Sequence, residues 1–69
     1  NSIMKEDTKQ LMFDLIRTEF DTLSWSLEHT YLTGKNLIKA TIELDLIEEA
    51  KEMISDAKDY GYNYTNLLK

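Results

Sequence analysis

The stretch TLSWSLEHTYL, from Thr22 to Leu32, contains the only tryptophan and the only histidine of the chain. Leu23 and Leu27 are four positions apart and would share one side of a helix, whereas Trp25 would point away from them. A helix that packs against one neighbour needs a single apolar face. The position of Trp25 therefore predicts a second contact surface, covered by another part of the same chain, by a second copy or by a different protein.

Two apolar series favour one long first helix that begins near Glu6 or Asp7 and ends near Leu32. Such a helix would be about 39 Å long at 1.5 Å per residue. One series has the spacing of a coiled coil and contains Phe13, Ile16, Phe20, Leu23, Leu27 and Thr30. The second lies on roughly the opposite side and contains Leu11, Leu15, Thr18, Thr22, Trp25, His29 and Leu32. Because one helical hairpin cannot cover both sides, we expect a symmetric homodimer.

The composition is typical of an all-α protein, since proline is absent and Gly34 and Gly61 are the only glycines. Glycine adopts the left-handed conformation that ends helices at little cost, so both positions are predicted to stop a helix. The predicted fold is a long helical hairpin or a three-helix arrangement, paired into a dimeric helical bundle. We expect one small helical domain over residues 1–69, with residues 1–3 as a cloning remnant before Met4 and residues 62–69 as an ordered tail.

The segment after Gly34 could form a short strand, but its surroundings favour a second helix from about residue 36, with a kink or break near residues 43–45. The phase of the apolar residues shifts there, and Asp45 with Glu48 resembles a capping box that would start a new helix. From Leu46 to Tyr60 the pattern indicates an amphipathic helix. Its apolar series is Ile47, Ala50, Ile54 and Ala57.

The tail after Gly61 is too aromatic and too apolar to be a mere disordered end. It could fold back onto the helices, cross to a second subunit or serve as a free docking peptide. Tryptophan and tyrosine are enriched among the residues that dominate interface energies. The predicted partner-binding residues are therefore Trp25, His29, Leu32, Tyr62 and Tyr64.

An acidic series marks the opposite face of the last helix. It consists of Asp45, Glu49, Glu52, Asp56 and Asp59, spaced four, three, four and three apart. Such a series can be a solvated surface, a docking face for a basic partner, or a mimic of the phosphate backbone that occupies the basic surface of a nucleic-acid-binding protein.

Charge and composition narrow the functional classes further. Thirteen acidic residues against eight basic ones give a net charge of −5, which argues against direct nucleic-acid binding. With one histidine and no cysteine, the usual ligand sets of zinc and haem are missing, and we predict no metal and no cofactor. No apolar run is long enough for a membrane span, and a cytoplasmic location is expected.

A catalytic role for His29 would require an oriented carboxylate and a nucleophile. Glu28 is its neighbour in sequence, but it would point about 100° away on a helix. We therefore predict no catalytic residue and no enzyme. The predicted function is that of a small regulatory or adaptor protein that acts by protein–protein binding, for example as an inhibitor or an antitoxin-like factor. The alternative is the acidic nucleic-acid mimic.

Overall fold

The computed structural model describes residues 6–68, apart from the side chain of Glu6. It contains the helices α1 (Glu6–Asp21), α2 (Thr30–Glu43) and α3 (Ile47–Asp59), followed by a short 3-10 helix, η1 (Thr65–Leu68). No strand occurs within residues 6–68. The all-α class and the three-helix arrangement are therefore confirmed. The segment interpreted as a cloning remnant, residues 1–3, lies outside the described residues.

The prediction of one long first helix is wrong, because α1 ends at Asp21 and a loop of tight turns occupies residues 22–29. Serine and threonine compete for backbone hydrogen bonds and weaken helix interiors. The Thr22 hydroxyl donates to the carbonyl of Glu19 at 2.9 Å, and the Thr30 hydroxyl donates to the carbonyl of Ser24 at 2.6 Å. The first bond stabilises the turn at the end of α1, and the second connects the start of α2 to the loop.

The prediction that Gly34 stops a helix is wrong. It lies inside α2 and is buried. A Cβ atom at this position would lie 2.9 Å from the Trp25 ring and 2.9 Å from the Tyr64 hydroxyl oxygen. The absence of a side chain therefore allows the loop and the tail to pack directly on α2.

The break between α2 and α3 is confirmed, but the capping box is not. Asp45 has φ 64°, in the left-handed region, and the N-cap residue of α3 is Leu46, without a side-chain cap. The amide of Asp45 donates to Ile42 at 2.9 Å and that of Leu46 donates to Thr41 at 3.2 Å. This is the Schellman pattern at a helix C-terminus. Asp45 therefore ends α2 instead of starting α3.

Gly61 ends α3 as predicted. Its φ is 94°, its amide donates to Lys58 at 2.9 Å, and the amide of Tyr62 donates to Ala57 at 3.1 Å. The two bonds again form a Schellman motif, here with glycine at the left-handed position. The chain consequently reverses after Tyr60 and sends the tail back across α2.

Helix α2 is the central element, and it packs against α1, α3 and η1. The buried cluster that joins them consists of Phe20, Ile38, Ala50, Met53, Ile54, Ala57 and Tyr64. The first apolar series of α1 faces this core, since Phe13 and Ile16 pack against it beside Phe20. The alanines of α3 are completely buried, which is how small side chains allow close helix packing.

The second apolar series is not a continuous helix face. Leu11 and Leu15 point into solvent on α1, at 66% and 73% exposure, and Leu32 is 60% exposed on α2. Trp25 belongs to the loop between these helices. The need to cover two sides of one long helix, from which the dimer was inferred, therefore no longer exists.

Within residues 6–68, no helix is both long enough and apolar enough to cross a membrane.

Candidate binding cleft

Six aromatic side chains gather where the 22–29 loop, α2 and the tail meet. We call this group the aromatic cluster, and its members are Phe20, Trp25, Tyr31, Tyr60, Tyr62 and Tyr64. Trp25 is at its centre. It meets Phe20 edge-on with ring centroids 5.3 Å apart, and Tyr60 stacks parallel to it at 5.5 Å. Aromatic pairs in such geometries add about 0.5–1.5 kcal/mol each beyond area burial.

The tail folds back onto the helices, which is the first of its three possible arrangements. The Tyr62 hydroxyl donates to the carbonyl of Trp25 at 2.8 Å, and the Tyr64 hydroxyl donates to the carbonyl of Tyr31 at 2.8 Å. Tyr64 is only 1% exposed. Burial, together with the charges of Tyr31 and Tyr62, raises the pKa of Tyr64 to about 12. Trp25 is thus covered by its own chain.

The predicted partner-binding residues separate into two groups. Trp25, Tyr62 and Tyr64 come together in the aromatic cluster, and the burial of Tyr64 leaves it no surface for a partner. His29 and Leu32 are exposed at the start of α2 and are not part of the cluster. Sequence reasoning missed Tyr31 and Tyr60, although the spacing of Tyr60, Tyr62 and Tyr64 was a usable signal.

An open cleft of about 580 Å³ lies beside the aromatic cluster, between the end of α1, the 22–29 loop and the end of α3. Ligand sites in proteins typically have volumes of about 300–1,000 Å³. The residues that give this cleft its chemistry are Arg17, Asp21, Trp25, Asp56, Asp59 and Tyr60. Three carboxylates and one guanidinium thus line the cleft, beside two stacked rings.

Arg17 joins α1 to α3 inside this cleft. Its Nη2 atom donates to Asp56, and its Nε atom lies 3.1 Å from a carboxylate oxygen of Asp21. Burial by itself lowers the pKa of Arg17, but the hydrogen bond with Asp56 and the charges of both carboxylates outweigh it and raise the pKa. Partly exposed pairs of this kind contribute about 0–1 kcal/mol to stability.

The acidic series divides at the cleft. Asp56 and Asp59 line it, and Asp56 is already paired with Arg17. Glu49 and Glu52 continue on the same face of α3, whereas Asp45 belongs to the preceding turn. Sequence reasoning missed Arg17 and Asp21, because both meet the series only through the packing of α1 against the rest of the fold.

The charged and aromatic side chains of the cleft are of the kinds that can bind a partner. Among the described residues, no group of three or more histidine, cysteine, aspartate or glutamate side chains is placed to hold a metal ion. No protein-family model matches the chain, and the comparisons with curated proteins and with solved structures also find no match.

Proposed function

We propose that the protein is a single small helical domain that acts as a non-enzymatic regulatory or adaptor module. It would bind another protein through the cleft, as an inhibitor or an antitoxin-like factor does. The observation that supports this is the exposed Tyr60 ring, 61% accessible, in a concave surface with three carboxylates. Aromatic residues carry much of the energy of interfaces, and charge complementarity selects the partner.

The chemistry of this surface favours a basic partner. The chain has a net charge of −5, and the cleft has more carboxylates than cations. Direct nucleic-acid binding would place this surface against phosphates of the same sign, so we propose none. We also propose a cytoplasmic location without membrane association. The absence of cysteine agrees with such a reducing compartment.

The predicted contact residues have different roles in this proposal. Trp25 lines the cleft, and Tyr62 and Tyr64 hold it in place from behind. His29 and Leu32 form a separate exposed patch at the start of α2 that could extend the interface. The outer face of Tyr60 replaces the tail tyrosines as the expected anchor.

A capture experiment tests the proposal. The tagged wild type and the variants Tyr60→Ala, Glu49→Gln/Glu52→Gln and Glu48→Gln are used as baits in a lysate of the native host. We expect one specific protein, retained by the wild type and by Glu48→Gln, and lost by Tyr60→Ala. Glu48 lies at the start of α3, about 16 Å along the helix from Asp59, and serves as the charge control. Equal retention by all four baits would contradict the proposal.

The acidic mimic is the second candidate. Four carboxylates, those of Glu49, Glu52, Asp56 and Asp59, follow one face of α3 over about 15 Å. The pairing of Asp56 with Arg17 reduces the charge of this face and makes mimicry the weaker proposal. A captured protein that Glu49→Gln/Glu52→Gln loses and Tyr60→Ala retains, with an affinity that falls steeply with salt, would favour it.

A homodimer also remains part of the proposal, through a different surface. Leu11 and Leu15 are neighbours on the outer face of α1, and exposed apolar patches mark association sites. Sedimentation equilibrium at tens of micromolar should show a dimer that Leu15→Gln dissociates. Leu32→Gln removes an equally exposed leucine from the patch on α2. Dissociation by Leu32→Gln alone would place the interface there, and a monomeric wild type would contradict the dimer.

A further inference from the structure

We infer that the cleft accepts one arginine side chain of a basic partner protein, stacked on the outer face of Tyr60 and paired with Asp59. This inference rests on the proposed function and names the group that the cleft recognises. Three properties of the cleft favour this occupant: its negative charge, the exposed face of Tyr60 and the guanidinium of Arg17 that it already binds over Phe20.

Arg17 shows how the cleft binds a guanidinium. Its central carbon lies 5.6 Å from the centroid of the Phe20 ring, within the range of a cation–π contact. The same group is paired with Asp21 and Asp56 at its edge. One half of the cleft therefore combines an aromatic face, a guanidinium and carboxylates in a single arrangement.

The other half of the cleft, formed by Tyr60 and Asp59, has an aromatic face and a carboxylate but no bound guanidinium. One face of Tyr60 stacks on Trp25 with an angle of 9° between the ring planes, which determines the orientation of the ring. No other aromatic ring among residues 7–68 lies against Tyr60, and its high exposure leaves the outer face accessible. Asp59 precedes it and forms no ion pair with any described side chain. Tyr60 and Asp59 therefore provide the kinds of group, an aromatic face and a carboxylate, with which Phe20 and Asp21 contact Arg17.

The end of α3 adds to the attraction. The carboxyl end of a helix carries a partial negative charge equivalent to roughly half an elementary charge, and it favours cations. Asp59 and Tyr60 are the last helical residue and the C-cap of α3. Lys58 is the nearest competing cation in sequence, but it does not line the cleft.

Arginine fits this site better than lysine. A guanidinium is planar, stacks on aromatic faces and donates two parallel hydrogen bonds to a carboxylate, whereas an ammonium is a strongly hydrated point charge. The volume of about 580 Å³ leaves room for a side chain to enter beside Arg17.

A peptide titration tests the inference. The probes are three heptapeptides, acetyl-Gly-Ser-Gly-X-Gly-Ser-Gly-amide, in which X is arginine, lysine or citrulline. Citrulline has nearly the shape of arginine but no charge. Binding is followed by the indole N–H resonance of Trp25, the only tryptophan and a wall of the cleft. We expect the arginine peptide to bind about fivefold more tightly than the lysine peptide, with no saturable binding of the citrulline peptide.

Two variants locate the bound side chain. Asp59→Asn should weaken binding of the arginine peptide about fivefold, whereas Glu48→Gln removes the same charge elsewhere on α3 and should change it less than about twofold. Tyr60→Leu keeps an apolar side chain and should remove the preference for arginine over lysine. Melting temperatures of the variants establish that the fold is retained, and Asp59→Asn changes only an exposed side chain.

Each contrary result overturns the inference. Equal affinities for the arginine and lysine peptides would remove the guanidinium selectivity, and binding of the citrulline peptide would remove the requirement for charge. Equal effects of Asp59→Asn and Glu48→Gln would place the site elsewhere. If a captured protein still depends on Tyr60 in any of these cases, the proposed function stands and only the arginine assignment fails.

Discussion

Gly34 and Gly61 occupy two regions for which the sequence predicted the same role, the end of a helix, and which differ in structure. Gly61 ends α3 with φ 94°, and a Cβ atom there would meet nothing within 4 Å. Gly34 lies inside α2, where a Cβ atom would lie 2.9 Å from both Trp25 and Tyr64. Gly61 is needed for its backbone conformation, and Gly34 is needed because it leaves space for the side chains that pack on it. A glycine is therefore assigned its role by its surroundings, not by its residue type.

The contrast extends to the energetics of the two regions. Glycine inside a helix costs about 1 kcal/mol relative to alanine, and contacts above Gly34 must offset that cost. The aromatic cluster provides them, since Trp25 and Tyr64 pack directly on the bare backbone. At Gly61 no contact is required, because only the left-handed conformation matters.

Alkaline pH should produce the largest effect, through Tyr64 in the Gly34 region. The pKa of Tyr64 is about 12 in the folded protein and about 10 in the unfolded chain, so the folded state holds this proton more tightly. The protonated Tyr64 hydroxyl contributes its full stabilisation below pH 10. As the pH rises from 10 to 12 this stabilisation is lost, which lowers the free energy of unfolding by on the order of 3 kcal/mol. Urea unfolding between pH 8 and pH 11.5 measures the larger part of this loss.

Tyr64→Phe is the matched control for the alkaline titration. It keeps the ring but has no ionisable hydroxyl, so its free energy of unfolding should depend less on pH in this range. The other three tyrosines remain in both proteins. Identical pH profiles for Tyr64→Phe and the wild type would show that the buried hydroxyl is not the group responsible.

Gly34→Ala should have the next largest effect, a loss of about 2 kcal/mol in the free energy of unfolding. The new methyl group must displace Trp25 or the Tyr64 hydroxyl, which is buried and hydrogen-bonded to Tyr31. Urea denaturation measures the loss. In the background of Tyr64→Phe the penalty should shrink by about 0.5–1 kcal/mol, because one of the two colliding atoms is gone. A stabilising Gly34→Ala would refute the close approach.

Gly61→Ala should cost about 1 kcal/mol, because alanine is strained at φ 94°. Since open space surrounds the position, the penalty should not change when Tyr64→Phe is added. Thermal denaturation of the single and double variants is sufficient to test this. If Gly61→Ala and Tyr64→Phe prove to be coupled as strongly as expected for Gly34→Ala and Tyr64→Phe, the two glycines do not differ in the way described.

Asp45→Gly should have the smallest effect, a gain of about 0.5 kcal/mol. Asp45 occupies the left-handed position at the end of α2 that Gly61 occupies at the end of α3, and it pays a conformational cost that glycine avoids. The greater freedom of glycine in the unfolded chain reduces the gain. If thermal denaturation shows a loss instead, the aspartate side chain must stabilise the turn.

Helix content and helix ends show how much of the fold local sequence could predict. The break near residues 43–45 and the end of α3 at Gly61 were predicted, because each follows from local patterns. The end of α1 at Asp21 was missed, although Thr22, Ser24, Ser26 and Thr30 indicate a weak helix. The apolar repeat continued through this stretch and outweighed that signal.

The candidate site was predicted only in part. Trp25 and the last two acidic residues were recognised, because large aromatics and charge series are visible in sequence. Arg17 and Asp21 were not connected with them, since they come from α1, and Arg17 meets Asp56 across 39 positions. Periodicity describes which residues share one helix face, but it carries no information on which faces of different helices meet.

The sequence by itself determined the all-α class, the face of α1 that packs inward and the acidic face of α3, because residue propensities and helical periodicity act over a few neighbouring positions. Only the tertiary structure decided that Gly34 is a contact site, that the loop of Trp25 is covered by the tail and that Arg17 of α1 pairs with Asp56 of α3. These features depend on segments far apart in the chain, which meet because their shared burial offsets the entropy lost in bringing them together.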